Sequence, residues 1–120
     1  MHELSIAQNI IEIIGEHIPS ERRGQVKSIK LKLGEQAGVV PESLEFCFNS
    51  LIDGTSLRGA VLEIERVPFM VRCNSCGGSS LSESGILYCS VCDGTDVVLI
   101  SGNELQISAL ELWDEEKVEA

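Results

Sequence analysis

Three observations in the amino-acid sequence predict an α+β fold, a small sheet packed by two helices with an inserted zinc-ribbon module. Apolar residues recur at helical spacing in two segments, period-two alternation marks three others, and two Cys-x-x-Cys pairs fall between the second and third alternating runs. In the first segment Leu4, Ala7, Ile11, Ile14 and Ile18, with Ile10 beside them, make one helical face over roughly residues 3–18, which Pro19 ends. Val26–Leu33 then alternates, with Ile29, Leu31 and Leu33 on one side and Lys30 and Lys32 on the other, as a half-buried strand does. Residues 34–40 read as a loop. Pro41 suits the first position of a second helix whose stripe is Leu44, Cys47, Phe48, Leu51 and Ile52, and Gly54 stops it.

A second strand follows at Val61–Val67, where Leu62 and Ile64 oppose Glu63 and Glu65. Pro68 marks a border. The cysteine module runs from about Phe69 to Ile100 with Gly, Ser and Asp in its turns and few large apolar side chains, so its folding is expected to depend on metal. After Gly102 the alternation returns at Leu105, Ile107 and Ala109, and this last strand is expected to rejoin the first sheet. The expected organisation is an α/β domain of residues 1–68 plus 101–113, a zinc-ribbon domain of residues 69–100, and a frayed, solvated acidic tail of residues 114–120.

Composition narrows the function classes. The chain has 120 residues and a formal charge of −10, with nine Lys and Arg against 19 Asp and Glu. A phosphate backbone is bound through clustered Lys and Arg, and between Phe69 and Ile100 the sole basic residue, Arg72, faces Glu83, Asp93 and Asp96, which argues against nucleic acid. The same charge favours cations and basic protein surfaces as partners. No apolar run reaches the length of a membrane span, and Glu3, Glu12 and Glu16 interrupt any secretory h-region, so a reducing cytoplasm is the expected compartment.

The pairs Cys73-Asn-Ser-Cys76 and Cys89-Ser-Val-Cys92 stand twelve residues apart. Two intervening residues let the backbone turn as a knuckle that aims both sulfurs at one ion, and two knuckles supply a tetrahedron of soft anionic donors, the set zinc prefers in closed structural sites. Cys76-Gly77-Gly78 and Cys92-Asp93-Gly94 place glycines where such a knuckle turns through positive φ. A redox pair would stand at a strand end entering a helix, and neither pair is followed by a helical pattern. Iron in a rubredoxin-like site would use the same four ligands, and spacing does not separate the two metals. Cys47, between Phe46 and Phe48, reads as a buried small hydrophobe. A closed site has no open coordination position and the chain shows no Ser/His/Asp or Cys/His arrangement, so an enzyme is not expected.

The opening Met1-His2-Glu3 offers a second metal chemistry. Histidine is too bulky for efficient removal of the initiator, so Met1 is expected to keep a free α-amine one residue from an imidazole. That amine, the His2 backbone nitrogen and a ring nitrogen close small chelate rings around a metal that prefers a planar field, as Ni(II) and Cu(II) do and Zn(II) does not. Glu3 adds a further nitrogen and a carboxylate. His17, near the end of the first helix, reads as a partner of helix-end carbonyls.

Taken together, Met1-His2-Glu3-Leu4-Ser5, the Gly34 loop followed by Ser43-Leu44-Glu45-Phe46-Cys47-Phe48, and the two Cys-x-x-Cys pairs resemble the HypA/HybF hydrogenase maturation proteins over nearly the whole chain. The resemblance implies a nickel metallochaperone that helps load nickel into the large subunit of [NiFe]-hydrogenase alongside a nickel-handling GTPase. It implies His2 as principal nickel ligand, with Met1 and Glu3 contributing backbone donors, and Cys73, Cys76, Cys89 and Cys92 as holders of structural zinc. The family commonly carries an acid in the loop after the strand, where this chain has Val40. A different class of function with the same ribbon is a zinc-ribbon adaptor that docks proteins and transfers no metal.

Overall fold

The computed structural model describes residues 2–82, 86–113 and 117–119, the last three through their backbone alone. Met1 and most of the acidic tail (Asp114, Glu115, Glu116, Ala120) lie outside the described residues, as does Glu83. Contacts divide the chain into two compact units, Met1–Leu31 with Val39–Glu65 and Gln106–Ala120, and Lys32–Gly38 with Arg66–Leu105.

In the first unit, α1 spans Glu3–His17 and buries Ile6, Ala7, Ile10 and Ile14. Leu4, expected on that face, is exposed, because the face turned inward is centred on Ile6 and Ile10. The helix ends where Ile18 takes an extended conformation (φ −117°), as the residue before a proline must to avoid the ring. His17 Nδ1 donates to the Ile13 carbonyl at 2.9 Å, the helix-end partnership its position suggested. A 3₁₀ turn, Ser20–Gln25, leads into β1, Val26–Gly34.

The second helix, α2, spans Pro41–Ile52, packs against α1 and buries Leu44, Phe48 and Ile52. These three are spaced by four, so the buried stripe runs along one ridge and leaves Cys47 half-buried at its flank rather than enclosed. Strand β2, Val61–Val67, presents Leu62 to the interior and keeps Glu63 and Glu65 in solvent. Ile29 and Leu31 of β1 are buried opposite the half-exposed Lys30, which bridges Glu111 at 2.8 Å.

The larger sheet has the order β2-β1-β6-β7, where β6 is Leu105–Leu112 and β7 is Lys117–Glu119. The strand that follows the cysteine segment therefore does return beside β1. The frayed tail expected from charge is corrected in part: Lys117–Glu119 pair antiparallel with β6 through Ala109↔Glu119, Leu110↔Val118 and Glu111↔Lys117. Pairing uses backbone groups that every residue carries, and a short charged strand is a common way to finish a sheet edge.

The second unit holds a three-stranded sheet of order β4-β3-β5, with β3 at Met70–Cys73, β4 at Ser79–Leu81 and β5 at Val97–Ser101. It takes in residues 32–38 and begins near residue 66, where the sequence suggested a border at 68, because backbone bonds tie these segments together. Gly34 N–H donates to Glu104 O (2.7 Å), Glu35 N–H to Val67 O (2.9 Å) and Gln36 N–H to Gly102 O (2.9 Å). At Gly34 a Cβ would fall 2.0 Å from the Gly102 carbonyl oxygen, so no other residue fits there without moving backbone. Phe69 and Val71 are buried within this unit, together with Cys73 and Cys89.

Candidate metal centres

The four cysteines of the two pairs converge although eighteen residues lie between the outermost, Cys73 and Cys92. Their sulfurs all lie within 4.8 Å of one another. Cys73 Sγ is 3.7 Å from Cys92 Sγ, and Cys76 Sγ is 3.6 Å from Cys89 Sγ. A tetrahedron with metal–sulfur bonds of about 2.3 Å has edges of about 3.8 Å, so the spacing suits one zinc-sized ion at the centre. It is far from the roughly 2.05 Å of a disulfide, and all five cysteines are free thiols.

The two knuckles repeat one backbone device. Cys73 N–H donates to Gly78 O at 2.9 Å and Cys89 N–H to Gly94 O at 2.8 Å. Gly77 N–H donates back to Cys73 O at 3.0 Å and Asp93 N–H to Cys89 O at 2.8 Å. The turn needs one residue with positive φ. Gly77 supplies it in the first knuckle (φ 75°), and Asp93 in the second (φ 61°), where the sequence had pointed to a glycine. Aspartate tolerates the left-handed region better than most side chains. Gly94 has no positive φ, and a Cβ there would crowd Cys92 Sγ at 3.2 Å, so a larger residue would press on that sulfur.

Burial and ionisation follow the same repeat. The first cysteine of each pair is buried, Cys73 at 1% and Cys89 at 0% exposure, and the second of each pair is exposed. The Cys76 N–H pointing at the Cys73 sulfur (3.5 Å) is the main influence holding that thiol down at about 7. The Cys92 N–H lowers Cys89 in the equivalent way. For Cys92 the Gly94 N–H pulls downward, but the neighbouring sulfurs of Cys73 and Cys89 raise it more and push it up to about 12. Cys76 is also raised: the Gly78 N–H lowers it, and the Cys89 sulfur, burial and the Cys73 sulfur outweigh that. Four thiolates this close repel one another, and a dication is the species that lets all of them ionise.

At the other candidate centre, His2 is the N-cap of α1, exposed, with extended backbone (φ −85°, ψ 115°) and no side-chain bond to the helix. Its carbonyl accepts the first helical bond, from Ile6 N–H at 3.2 Å. The N–H groups of Glu3, Leu4 and Ser5 therefore have no acceptor inside the helix, as at every helix start. Glu3 behaves differently from the open donor its position suggested. Its carboxylate accepts from Val40 N–H and from Ser43 Oγ–H, both at 3.4 Å, and so fastens the start of α1 to the start of α2.

That link was missed in the sequence, though a signal exists. Helix α2 has Val40 as N-cap, which carries no side-chain oxygen. In a capping box the third helical residue reaches back to the N-cap N–H; here Glu3 takes that role and Ser43, the third residue of α2, holds Glu3 by its hydroxyl. The Val40 side chain is exposed and has no oxygen, and the carboxylate that reaches position 40 is that of Glu3. Glu42 lies exposed in the first turn of α2.

Hydrogenase maturation factor HypA of Dehalococcoides mccartyi strain CBDB1 is 39% identical over 115 residues, covering 96% of this chain and 97% of that protein. HypA of Desulfosudis oleivorans is 41% identical over 113 residues, covering 93% and 98%. In fold, the chain is similar to the solution structure of the Ni metallochaperone HypA from Helicobacter pylori, with a TM-score of 0.62 at 20% identity over 93% of this chain and 97% of that one. A second solution structure of HypA gives a TM-score of 0.65 at 20% identity. Residues 1–112 match the family described as hydrogenase/urease nickel incorporation, metallochaperone, HypA, and with relatives this similar over nearly their full length the chain belongs to that family.

Proposed function

We propose that this HypA-family protein takes up Ni(II) at its amino terminus and helps deliver it to the large subunit of [NiFe]-hydrogenase, with zinc as a permanent structural ion. Nickel is cargo in this reading. The Met1 α-amine, the His2 imidazole and backbone nitrogen, and the Glu3 backbone nitrogen form the donor set, and Cys73, Cys76, Cys89 and Cys92 hold zinc. The observation that carries the reading is the state of His2: an exposed imidazole at the N-cap, engaged in no capping bond, ahead of helical N–H groups that have no acceptor. Metal binding there breaks no intrahelical hydrogen bond, and the positive end of the helix favours the loss of an amide proton that a planar nickel site needs.

Occupation of the Glu3 carboxylate by Val40 and Ser43 supports a backbone contribution from that residue rather than a side-chain one. A nickel-handling GTPase of the same maturation pathway is the proposed partner in transfer, in the cytoplasm, where free thiols persist. The acidic surface gives that encounter an electrostatic component. No helix among the described residues is long and apolar enough to cross a membrane. The function so described is carriage, not catalysis.

Native mass spectrometry of the untagged protein after nickel addition tests this. One nickel should bind beside one zinc, and His2→Ala should abolish the nickel while leaving the zinc. Equal nickel uptake by the two proteins would favour the adaptor reading instead. An amino-terminal extension, which removes the α-amine, should weaken nickel binding more than a carboxyl-terminal one.

A further inference from the structure

Strand β5 is an edge of the small sheet: it pairs with β3 on one side, and among the described residues nothing pairs with its other side. Its sequence, Val97-Val98-Leu99-Ile100-Ser101, contains no charge, proline or glycine. Val98 and Leu99 are each 39% exposed and Ile100 is 49% exposed. Proteins normally blunt an edge of this composition, since its free N–H and C=O groups form a template for another strand. The ladder shifts at one end, where Met70 pairs with Ser101 and Val71 with Leu99, so Ile100 stands opposite no residue and Val97–Leu99 is the regular run.

We infer that the free edge of β5 receives an extended segment of a partner protein that is uncharged in the middle and carries a basic residue at each end, added to the sheet as a further strand. Charge selects this occupant. Asp96 immediately precedes the strand and Glu104 follows it, so acids bracket an uncharged run. Each is held by its own unit, Asp96 Oδ1 accepting from Asn74 Nδ2 at 3.2 Å and Glu104 Oε1 from Gly102 N–H at 2.7 Å, which fixes both charges in place. Arg72 lies one strand inward, directly across from Val98, and disfavours a cation at the middle of the incoming segment. A second copy of this chain is the poorer occupant. Self-pairing about Leu99 would bring Asp96 of each copy beside the Gly102–Glu104 end of the other, between two molecules of charge −10. Main-chain bonds supply the affinity of such an added strand, and its ends supply the selectivity.

The test uses the zinc-loaded full chain and two blocked hexapeptides, Lys-Val-Thr-Val-Thr-Lys and its Glu-ended counterpart, with amide exchange read by NMR. The Lys-ended peptide should slow exchange several-fold at one or more amides of Val97–Ile100, and the Glu-ended peptide should not. Ile100→Lys, a change at an exposed position, should remove the effect, and Asp96→Asn should weaken it; Leu81→Lys, on the opposite edge, should leave it intact. Unchanged exchange with both peptides, equal effects of the two, or protection that rises with protein concentration alone would overturn the inference.

Discussion

The two candidate centres are built in opposite ways. At the knuckles, four soft donors converge on one point, two of the sulfurs are buried, and the same backbone bonds are made twice. At the start of α1 an exposed imidazole stands among backbone nitrogens, and the adjacent Glu3 carboxylate is already engaged by α2. The contrast teaches how one small chain can treat two metals differently. A site filled by protein ligands holds its ion as part of the fold, while a site of few donors at a helix end exposes its ion to exchange.

The largest effect should come from breaking the closed site. Cys73→Ser removes a buried sulfur, and metal-coupled folding in zinc-finger peptides is worth on the order of 10 kcal/mol. Zinc should be lost and the amide dispersion of residues 66–105 should collapse, while helical ellipticity from α1 and α2 persists; full zinc occupancy of the variant would break the comparison. Next is the frame that carries the open site. Phe48, fully buried on α2, should cost about 3–5 kcal/mol on replacement by Ala. Urea unfolding followed by helical ellipticity reads that loss, and zinc content should not change.

Ionisation sharpens the contrast further. A thiol protonated before binding and ionised afterwards releases its proton, so zinc affinity should fall as pH is lowered. Cys92, pushed up to about 12, is protonated at neutral pH, and Cys76 is raised in the same direction, whereas Cys73 at about 7 is already half ionised there. Titration calorimetry in two buffers of different ionisation enthalpy should show at least two protons released per zinc near neutral pH, those of Cys76 and Cys92. An enthalpy independent of buffer would contradict the assignment. The smallest effect is expected at the link between helices: Ser43→Ala should cost about 1 kcal/mol or less, because one hydrogen bond to a partly exposed carboxylate is lost. Thermal unfolding measures it, and a shift in nickel affinity greater than tenfold would mean that the Glu3 carboxylate does more than fasten the terminus.

Several parts were legible beforehand for identifiable reasons. The helix ends at Pro19 and Pro41 were readable because proline restricts its neighbours locally, and β2 kept its expected limits because alternation of Leu62 and Ile64 with Glu63 and Glu65 is a one-strand property. Cys47 was misjudged because helical spacing alone does not say which side of a stripe is deepest, and Leu4 for the same reason. Composition points to a glycine as the left-handed residue of the second knuckle, but Asp93 adopts that conformation and Gly94 instead leaves room beside Cys92 Sγ.

Local order along the chain already settles the knuckle ligands, the amphipathic stripes, the acidic balance and the histidine at the second position. Each follows from spacing along the backbone, which needs no knowledge of the fold. Tertiary structure alone decided that Cys73 sits beside Cys92 and Cys76 beside Cys89, that Glu3 caps a helix beginning at residue 41, and that Lys117–Glu119 extend the sheet. Those contacts join segments far apart in the chain. They form where packing brings donors and acceptors together, and even where a local signal marks a group in need of a partner, as the oxygen-free N-cap at Val40 does, it does not name the partner.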